Sequence, residues 1–407
     1  MNIASWIAKR ISINQNNSIG SFIIKISITA LALSLGVMII SNSLINGFQI
    51  EIKSKLFDLW GHAQIKNLDN NTSLQDKPIS NTDLYSNQLK NEKEISKIEP
   101  YIQKAGIIKT KDNIEGIVLK SWRPQGALPS LTRYLSEGSG YETGDTLDQL
   151  IWISEHTAGR LQLTLNDKVI VYFIEQAQAP KVRKFYVKGI YNTGLLEYDE
   201  VFAFVDYTVL SKLTGYGDTL LSGIQLHFDN YKNMNKIALK IEQNILPQNQ
   251  ICRSMGELNP NLFDWLALQN INESIIMILM IIVSIVNMAN MLLILIVERT
   301  NMIGLLKALG LKDFVLQKIF LHIAFRVVGW GLFFGNLFGF GLCLIQQKCK
   351  IITLPQESYY VKVAPVVFDF NMLILINVGV VFITLLSLII PTLIIQKISP
   401  TKAIQFD

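Results

Sequence analysis

SIIMILMIIVSIVNMANMLLILIVERTNMIGLLKALG, residues 274–310, decides how this chain must fold. Residues 274–297 carry no charge at all. A helix of about 20 apolar residues crosses the hydrocarbon core of a bilayer, so this run reads as a membrane span. Glu298 and Arg299 follow it directly, and a short helix-forming segment then runs to Gly310. Composition agrees with a membrane chain: 50% of the 407 residues are hydrophobic and 17% are charged, against about 25% charged in soluble domains.

Working outward, three more runs are long and apolar enough to span. The chain divides into an interfacial helix at 1–21 with Trp6 as its anchor, a first span at 22–47, and an outer domain at 48–270. A second span follows at 271–297, then a surface segment at 298–317, a third span at 318–345, a loop at 346–370, a fourth span at 371–396 and a tail at 397–407. The first apolar run is too long for the core of a cleaved signal peptide. Lys9, Arg10 and Lys25 precede the first span, and Arg299, Lys307, Lys312 and Lys318 lie between the second and third. Basic residues favour the cytoplasmic side, which places both termini and 298–317 inside and 48–270 outside. Lys348, Lys350 and Lys362 in the 346–370 loop run against this trend. A net charge of +5, without a basic cluster interleaved with aromatics, excludes a nucleic-acid partner.

The outer segment changes character. YIQKAGIIKT (101–110), IEGIVLKSW (114–122), KVIVYFIE (168–175), FYVKGIYNT (185–193) and VFAFVDY (201–207) are β-branched or aromatic runs, which read as strands. Helices are expected over SNQLKNEKEISKI (86–98), YTVLSKLTG (207–215) and 230–244, and SEHTAG (154–159) reads as a turn into a helix. The expectation is an α+β domain inserted between the first and second of four transmembrane helices.

Chemistry is sparse. No G-x-x-x-x-G-K-[ST] is present to cradle ATP phosphates. His62, His156, His227 and His322 are scattered, with no ligand cluster that would argue for a metal. No nucleophile elbow occurs either. Cys252, Cys343 and Cys349 form no C-x-x-C pair and read as unpaired buried thiols. The chain does not read as an enzyme.

In the segment after the second span, Ile303, Leu305, Leu306 and Leu309 give one apolar stripe, with Lys307 and Lys312 pointing elsewhere. An ordinary interfacial helix between two spans fits these residues as well as a docking segment does. The third span carries Gly331, Gly335 and Gly339, a ridge that lets another helix approach closely, either in the same chain or across a dimer.

Glu298, Arg299, Thr300, Ile303, Gly304, Leu305, Lys307, Ala308, Leu309 and Gly310, with Leu306 between them, resemble in order the cytoplasmic coupling segment of FtsX-like, MacB-type ABC permeases. Asn301 and Met302 depart from it, standing where a basic and an acidic residue are common. SPTKAIQFD (399–407) resembles the family's closing motif, NGFQIEIKSKLFDLWGHAQI (46–65) its lipoprotein-releasing branch, and VKGIYNTGLLEYDEVFAFVD (187–206) and LQLTLNDKVIVYF (161–173) its periplasmic core domain. The resemblance implies a non-catalytic membrane subunit with no cofactor of its own, ATP and Mg being bound by a separate cytoplasmic ATPase. It implies a homodimer, or a heterodimer with a paralogue, in the lipids of a bacterial inner membrane, relaying ATP-driven motion to the outer domain to release lipoproteins. Efflux of peptides, toxins or drugs, and a signalling or scaffold role toward wall hydrolases, are the alternatives within the family. The resemblance places the hairpin loop at 174–184, with Pro180, Lys181, Arg183 and Lys184, at about the position where lipoprotein-releasing permeases capture a periplasmic carrier, and a solvated hairpin end fits the same residues as well.

Overall fold

The computed structural model describes residues 19–68, 77–80, 88–110, 113–122, 131–141, 147–173, 180–217 and 219–397. The expected interfacial helix with Trp6, the closing motif at 399–407 and the tip of the 174–184 hairpin lie largely or wholly outside these residues. Two compact units form: an apolar one from residues 1–49, 266–353 and 363–407, and an outer one from 50–265 and 354–362. Helix α1 (Ile19–Trp60) is one helix of 42 residues that contributes its first part to the apolar unit and its last turns to the outer unit.

Among the described residues, the outer unit holds thirteen strands: β1 (Ala63–Asn67), β2 (Ile79–Ser80), β3 (Ile95–Tyr101), β4 (Gln103–Lys109), β5 (Ile114–Trp122), β6 (Leu135–Gly138), β7 (Leu150–Ser154), β8 (Lys168–Phe173), β9 (Lys181–Tyr191), β10 (Phe202–Asp206), β11 (Leu220–Leu221), β12 (Gly223–Phe228) and β13 (Gln250–Ser254). Its longer helices are α2 (Glu155–Leu161), α3 (Tyr207–Thr214) and α4 (Met234–Asn244), beside single turns such as Leu196–Asp199 and Met255–Leu258. β13, β1, β12 and β3 make one sheet. The other runs β6-β9-β7-β10-β5-β4-β8, and β8 pairs back onto β9, so six of its strands close on themselves. The long β9 makes closure possible: residues 181–186 pair with β8, and 186–191 pair with β7. Closure removes the unpaired edges that an open sheet exposes. Trp152, Phe173, Phe185 and Tyr191 fill the interior.

Local signals explain the helices. Ser154 accepts from the Thr157 amide to cap α2, and Asp206 caps α3 through the Thr208 amide. The helix expected over 86–98 is seen only at 88–91; Ile95–Tyr101 is a strand instead, because Ile98 pairs with Leu226 of β12 and tertiary pairing outweighs the helix-forming Glu and Lys residues. β7, β12 and β13 were not expected from the sequence, although the alternation Ile224-Gln225-Leu226-His227-Phe228 in β12 is a strand signal.

The end of α1 is fixed with unusual care. Gly61, at φ +72°, closes the helix by donating to the Phe57 carbonyl at 2.9 Å. The Leu59 carbonyl accepts from Lys120 Nζ at 3.1 Å and Gln225 Nε2 at 3.0 Å, and the Trp60 carbonyl accepts from Gln64 Nε2 at 3.2 Å. The Lys120 ammonium lies 5.1 Å from the Trp60 ring centroid and 5.0 Å from that of Tyr101. Burial holds its pKa well below the ordinary lysine value. Beside it His62 stacks on Phe228 and Tyr231 and accepts the Phe228 amide at Nδ1. His62 and His227, distant in sequence, lie 5.8 Å apart between ring centroids. Residues 354–362 join this unit: Gln356 donates to Asn192, and Lys55 donates to the Tyr360 carbonyl. Gly194, at φ +79°, leaves room for them, since a Cβ there would stand 2.3 Å from Gln356 Nε2.

The apolar unit holds α1 with α5 (Pro260–Glu298), α6 (Thr300–Ala308), α7 (Asp313–Cys349), α8 (Phe370–Ser387), α9 (Ile389–Thr392) and α10 (Ile394–Lys397). Four stretches, Gly20–Trp60, Pro260–Glu298, Asp313–Cys349 and Phe370–Gln396, are long and apolar enough to cross a membrane. The first three exceed the expected spans because the helices continue past the apolar run at one end or both. Apolar side chains gain little by leaving lipid, so packing here rests on close approach and on polar pairs. Gly331, Gly335 and Gly339 of α7 face Leu31, Leu35 and Ile39 of α1, within the same chain. Asn336 and Asn377 donate to each other's side-chain oxygens across α7 and α8, and Asn42 of α1 donates to Glu273 of α5. Cys252 and Cys343 are buried thiols, but Cys349 is exposed at the end of α7, against expectation.

A Cβ at Gly335 would stand 2.9 Å from Leu35 Cβ and 3.0 Å from the Ala32 carbonyl oxygen, whereas one at Gly329 or Gly341 meets nothing within 4 Å. Gly335→Leu is therefore expected to cost roughly 1–3 kcal/mol and Gly341→Leu almost nothing, read as thermal midpoints of the full chain in detergent. Burial, with help from His227, pushes the His62 pKa from 6.5 to about 4. Its stabilising contribution is complete above 6.5 and is lost as pH falls through 6.5 toward about 4, because the unfolded chain takes up the proton first. The stability advantage of the native chain over His62→Gln should shrink across that window by roughly 1–3 kcal/mol after allowance for screening; thermal unfolding followed by circular dichroism reads it.

Candidate functional site: the segment between the second and third spans

α5 ends at Glu298, where Arg299 (φ −104°, ψ 17°) breaks the helical run before α6 begins at Thr300. Thr300 Oγ1 returns a hydrogen bond to the Val297 carbonyl at 2.8 Å, so the break is itself held. α6 ends just as firmly. Gly310, at φ +89°, donates to the Lys307 carbonyl at 2.9 Å, and Leu311 donates to that of Leu306 at 3.0 Å. Glycine is needed at this left-handed position. It is not needed for space, since a Cβ there meets nothing.

The stripe expected from the sequence is split between two faces. Ile303 is fully buried, Gly304 is buried, and Leu306 packs against the same core as Met302. Leu305 and Leu309 are 54% and 72% exposed. They stand one turn apart, on a face shared by exposed Asn301, Ala308 and Lys312.

Lys307, expected to point away from the apolar stripe, is largely enclosed. Its side chain is 10% exposed, Nζ lies 2.8 Å from Asp313 Oδ1, and it donates to the Ile395 carbonyl at 2.7 Å. The Glu298 carboxylate lies against Gly20, near the described start of α1, where a Cβ would stand 2.5 Å from Oε2. Through Lys307, α6 is thus tied to the start of α7 and to α10. Arg299 buries its Nε.

The other group of candidate residues sits on the β8–β9 hairpin. Arg183 stands opposite Val171 and Lys184 opposite Ile170, so the two project from opposite faces of the strand. Lys181 shares the Arg183 face and donates to the Leu213 carbonyl at 3.2 Å. Pro180 and these three cations are exposed. The basic residues therefore form two surfaces, where the sequence had grouped them as one.

Two features of this geometry were missed in the sequence. Lys120 was visible as a charge inside the apolar run IVLKSW (117–122), and such a residue is buried with partners or not buried at all. The link from Lys307 to Ile395, 88 residues away, left no local signal.

Residues 274–400 match the family described as FtsX-like permease C-terminal. Over its length the chain is 25% identical to the lipoprotein-releasing system transmembrane protein LolC of Neisseria meningitidis serogroup B, covering 100% of this chain and 99% of that one. It is 21% identical to LolC of Xylella fastidiosa, covering 97% and 96%, and 23% identical to LolC of Buchnera aphidicola, covering 93% and 92%. Two solved structures are distantly similar, each at 15% identity. The extracellular domain of the noncanonic ABC-type transporter YknZ from Gram-positive bacteria covers 47% of this chain and 98% of its own, with a TM-score of 0.31. The periplasmic region of MacB from Actinobacillus actinomycetemcomitans covers 49% and 91%, with a TM-score of 0.33.

Proposed function

We propose that this chain, an FtsX-like permease by its residues 274–400, is the membrane subunit through which a separate ATPase drives lipoproteins out of a bacterial inner membrane. The observation that carries the mechanism is the two-faced α6: Leu305 and Leu309 turn outward while Ile303, Leu306 and Lys307 lock the opposite face to the spans. The choice of cargo is supported by relatives named as lipoprotein-releasing proteins that align with this chain nearly end to end.

In this reading α6 lies in the cytoplasm, and the ATPase receives the two leucines in an apolar groove. Closing of the ATPase dimer on ATP displaces α6, and the spans move with it. α1 runs without a break from the apolar unit to Trp60, where Lys120, Gln225 and Gln64 hold its last carbonyls. Displacement of the helix is therefore delivered to the outer sheet rather than dissipated in a loop. Cargo leaves from the outer side, and the basic faces of the β8–β9 hairpin present Arg183 and Lys184 to an acidic carrier protein. A second permease copy, identical or paralogous, completes the assembly.

Purification of the chain from its own membrane in mild detergent should bring down an ABC ATPase. Leu305→Asp with Leu309→Asp is expected to lower its recovery about tenfold or more, as loss of central interface anchors does, while the thermal profile of the chain stays unchanged. Equal recovery from both samples would sink the coupling assignment. For the hairpin, Arg183→Glu with Lys184→Glu should slow carrier association by about a factor of ten at low salt; an unaltered rate would remove the carrier from this surface.

A further inference from the structure

We propose that Lys307 is the positioning residue of α6, a cationic clamp that fixes the register of this helix against the ends of the third and fourth spans and so passes its displacement to the fourth. The inference rests on the reading of α6 as the segment on which the ATPase acts.

Lys307 is unlike Lys312, the other lysine of its segment. Lys312 is exposed, while the Lys307 side chain is almost fully enclosed. Its ammonium meets the Asp313 carboxylate in the first turn of α7 at 2.8 Å, the Ile395 carbonyl of α10 at 2.7 Å and the Gln396 carbonyl at 3.5 Å. An ammonium has three donors, and acceptors from two further helices take them. A lysine serving as a handle for a partner would keep those donors free in water.

The surrounding packing shows what the clamp adds. Ile303, Leu316, Ile319, Leu388 and Ile395 belong to one buried cluster that joins α6 to the starts and ends of neighbouring helices. Apolar packing is non-directional, so by itself it lets a short helix slide or roll against its neighbours. Charge-assisted hydrogen bonds have direction and short reach. One carboxylate and two carbonyls around a single nitrogen therefore select one register of α6. The outward leucines lie on the opposite side of the same helix, so a push on them arrives at the Asp313 and Ile395 contacts. The fourth span has no other charged link to α6 among the described residues, whereas Glu298 reaches α1 independently.

The full-length chain and its Lys307→Met, Lys307→Arg and Asp313→Asn variants would be purified with whatever ATPase each retains, placed in proteoliposomes loaded with a lipoprotein, and scored for lipoprotein released per ATP hydrolysed. The Met variant is expected to keep its ATPase and to lose about two- to thirty-fold of that ratio, the range over which side-chain networks alter coupling. Arg should restore most of it, and Asp313→Asn should fall in between. An unchanged ratio with ATPase bound overturns the clamp and leaves the functional reading standing. Loss of the ATPase from the Met variant also overturns it, by placing Lys307 on the partner's face. Should the Met variant fail to accumulate, Asp313→Asn decides: a native ratio there overturns the proposal. A native chain that brings down no ATPase overturns the functional reading itself, and the clamp with it.

Discussion

The structure depends on how the last turn of α1 is satisfied. A helix that leaves an apolar unit and ends inside a β-domain brings orphan carbonyls to a place from which water is excluded. Leaving them unpaired would cost about 1–3 kcal/mol each. Lys120, Gln225 and Gln64, from β5, β12 and β1, converge on the carbonyls of Leu59 and Trp60. Three strands from two sheets are thereby registered against one helix end. The ammonium of Lys120 also sits favourably at the negative end of the helix, between two aromatic rings that soften its burial.

The apolar unit meets a different difficulty. Side chains there have no water to escape, so helices are held by shape and by a few hydrogen bonds. The glycine ridge of α7 admits Leu31, Leu35 and Ile39 to backbone contact, and Gly36 of α1 returns the arrangement by admitting the Phe338 ring. Asn336 and Asn377 form a reciprocal pair, each also donating to a carbonyl four residues earlier in its own helix, so neither amide is left half satisfied. At the α6 end the same logic is carried by charge, with Lys307 saturated by acceptors from α7 and α10.

α6 is small, but its two faces follow different rules. Inward residues are apolar or clamped, and outward ones include two leucines that are exposed among the described residues. The departure at Met302 from the charged residue common in similar segments fits this division, since Met302 packs against the core instead of reaching outward.

Four spans, an inserted α+β domain and a short helix after the second span were legible in the sequence because each follows from local pattern: hydropathy over a bilayer's length, alternation or β-branching over a strand, capping residues at helix starts. The strands at 101–122, 168–173 and 202–206 and the turn into α2 could be read in this way. The strand at Ile95–Tyr101 could not, because Glu and Lys favour a helix locally and the pairing partner lies about 130 residues away in β12. The facing of α6 was equally hidden. Periodicity groups Ile303, Leu305, Leu306 and Leu309 as one apolar stripe, and a helix nine residues long leaves the buried side undecided until neighbours arrive. Closure of the sheet through β9, convergence on the α1 terminus and the inward turn of Lys307 all join residues far apart in the chain. Sequence determined which segments are apolar and many of the strands and helices; tertiary structure alone decided which face of each meets which neighbour, because that choice depends on donors, acceptors and shapes that no local window contains.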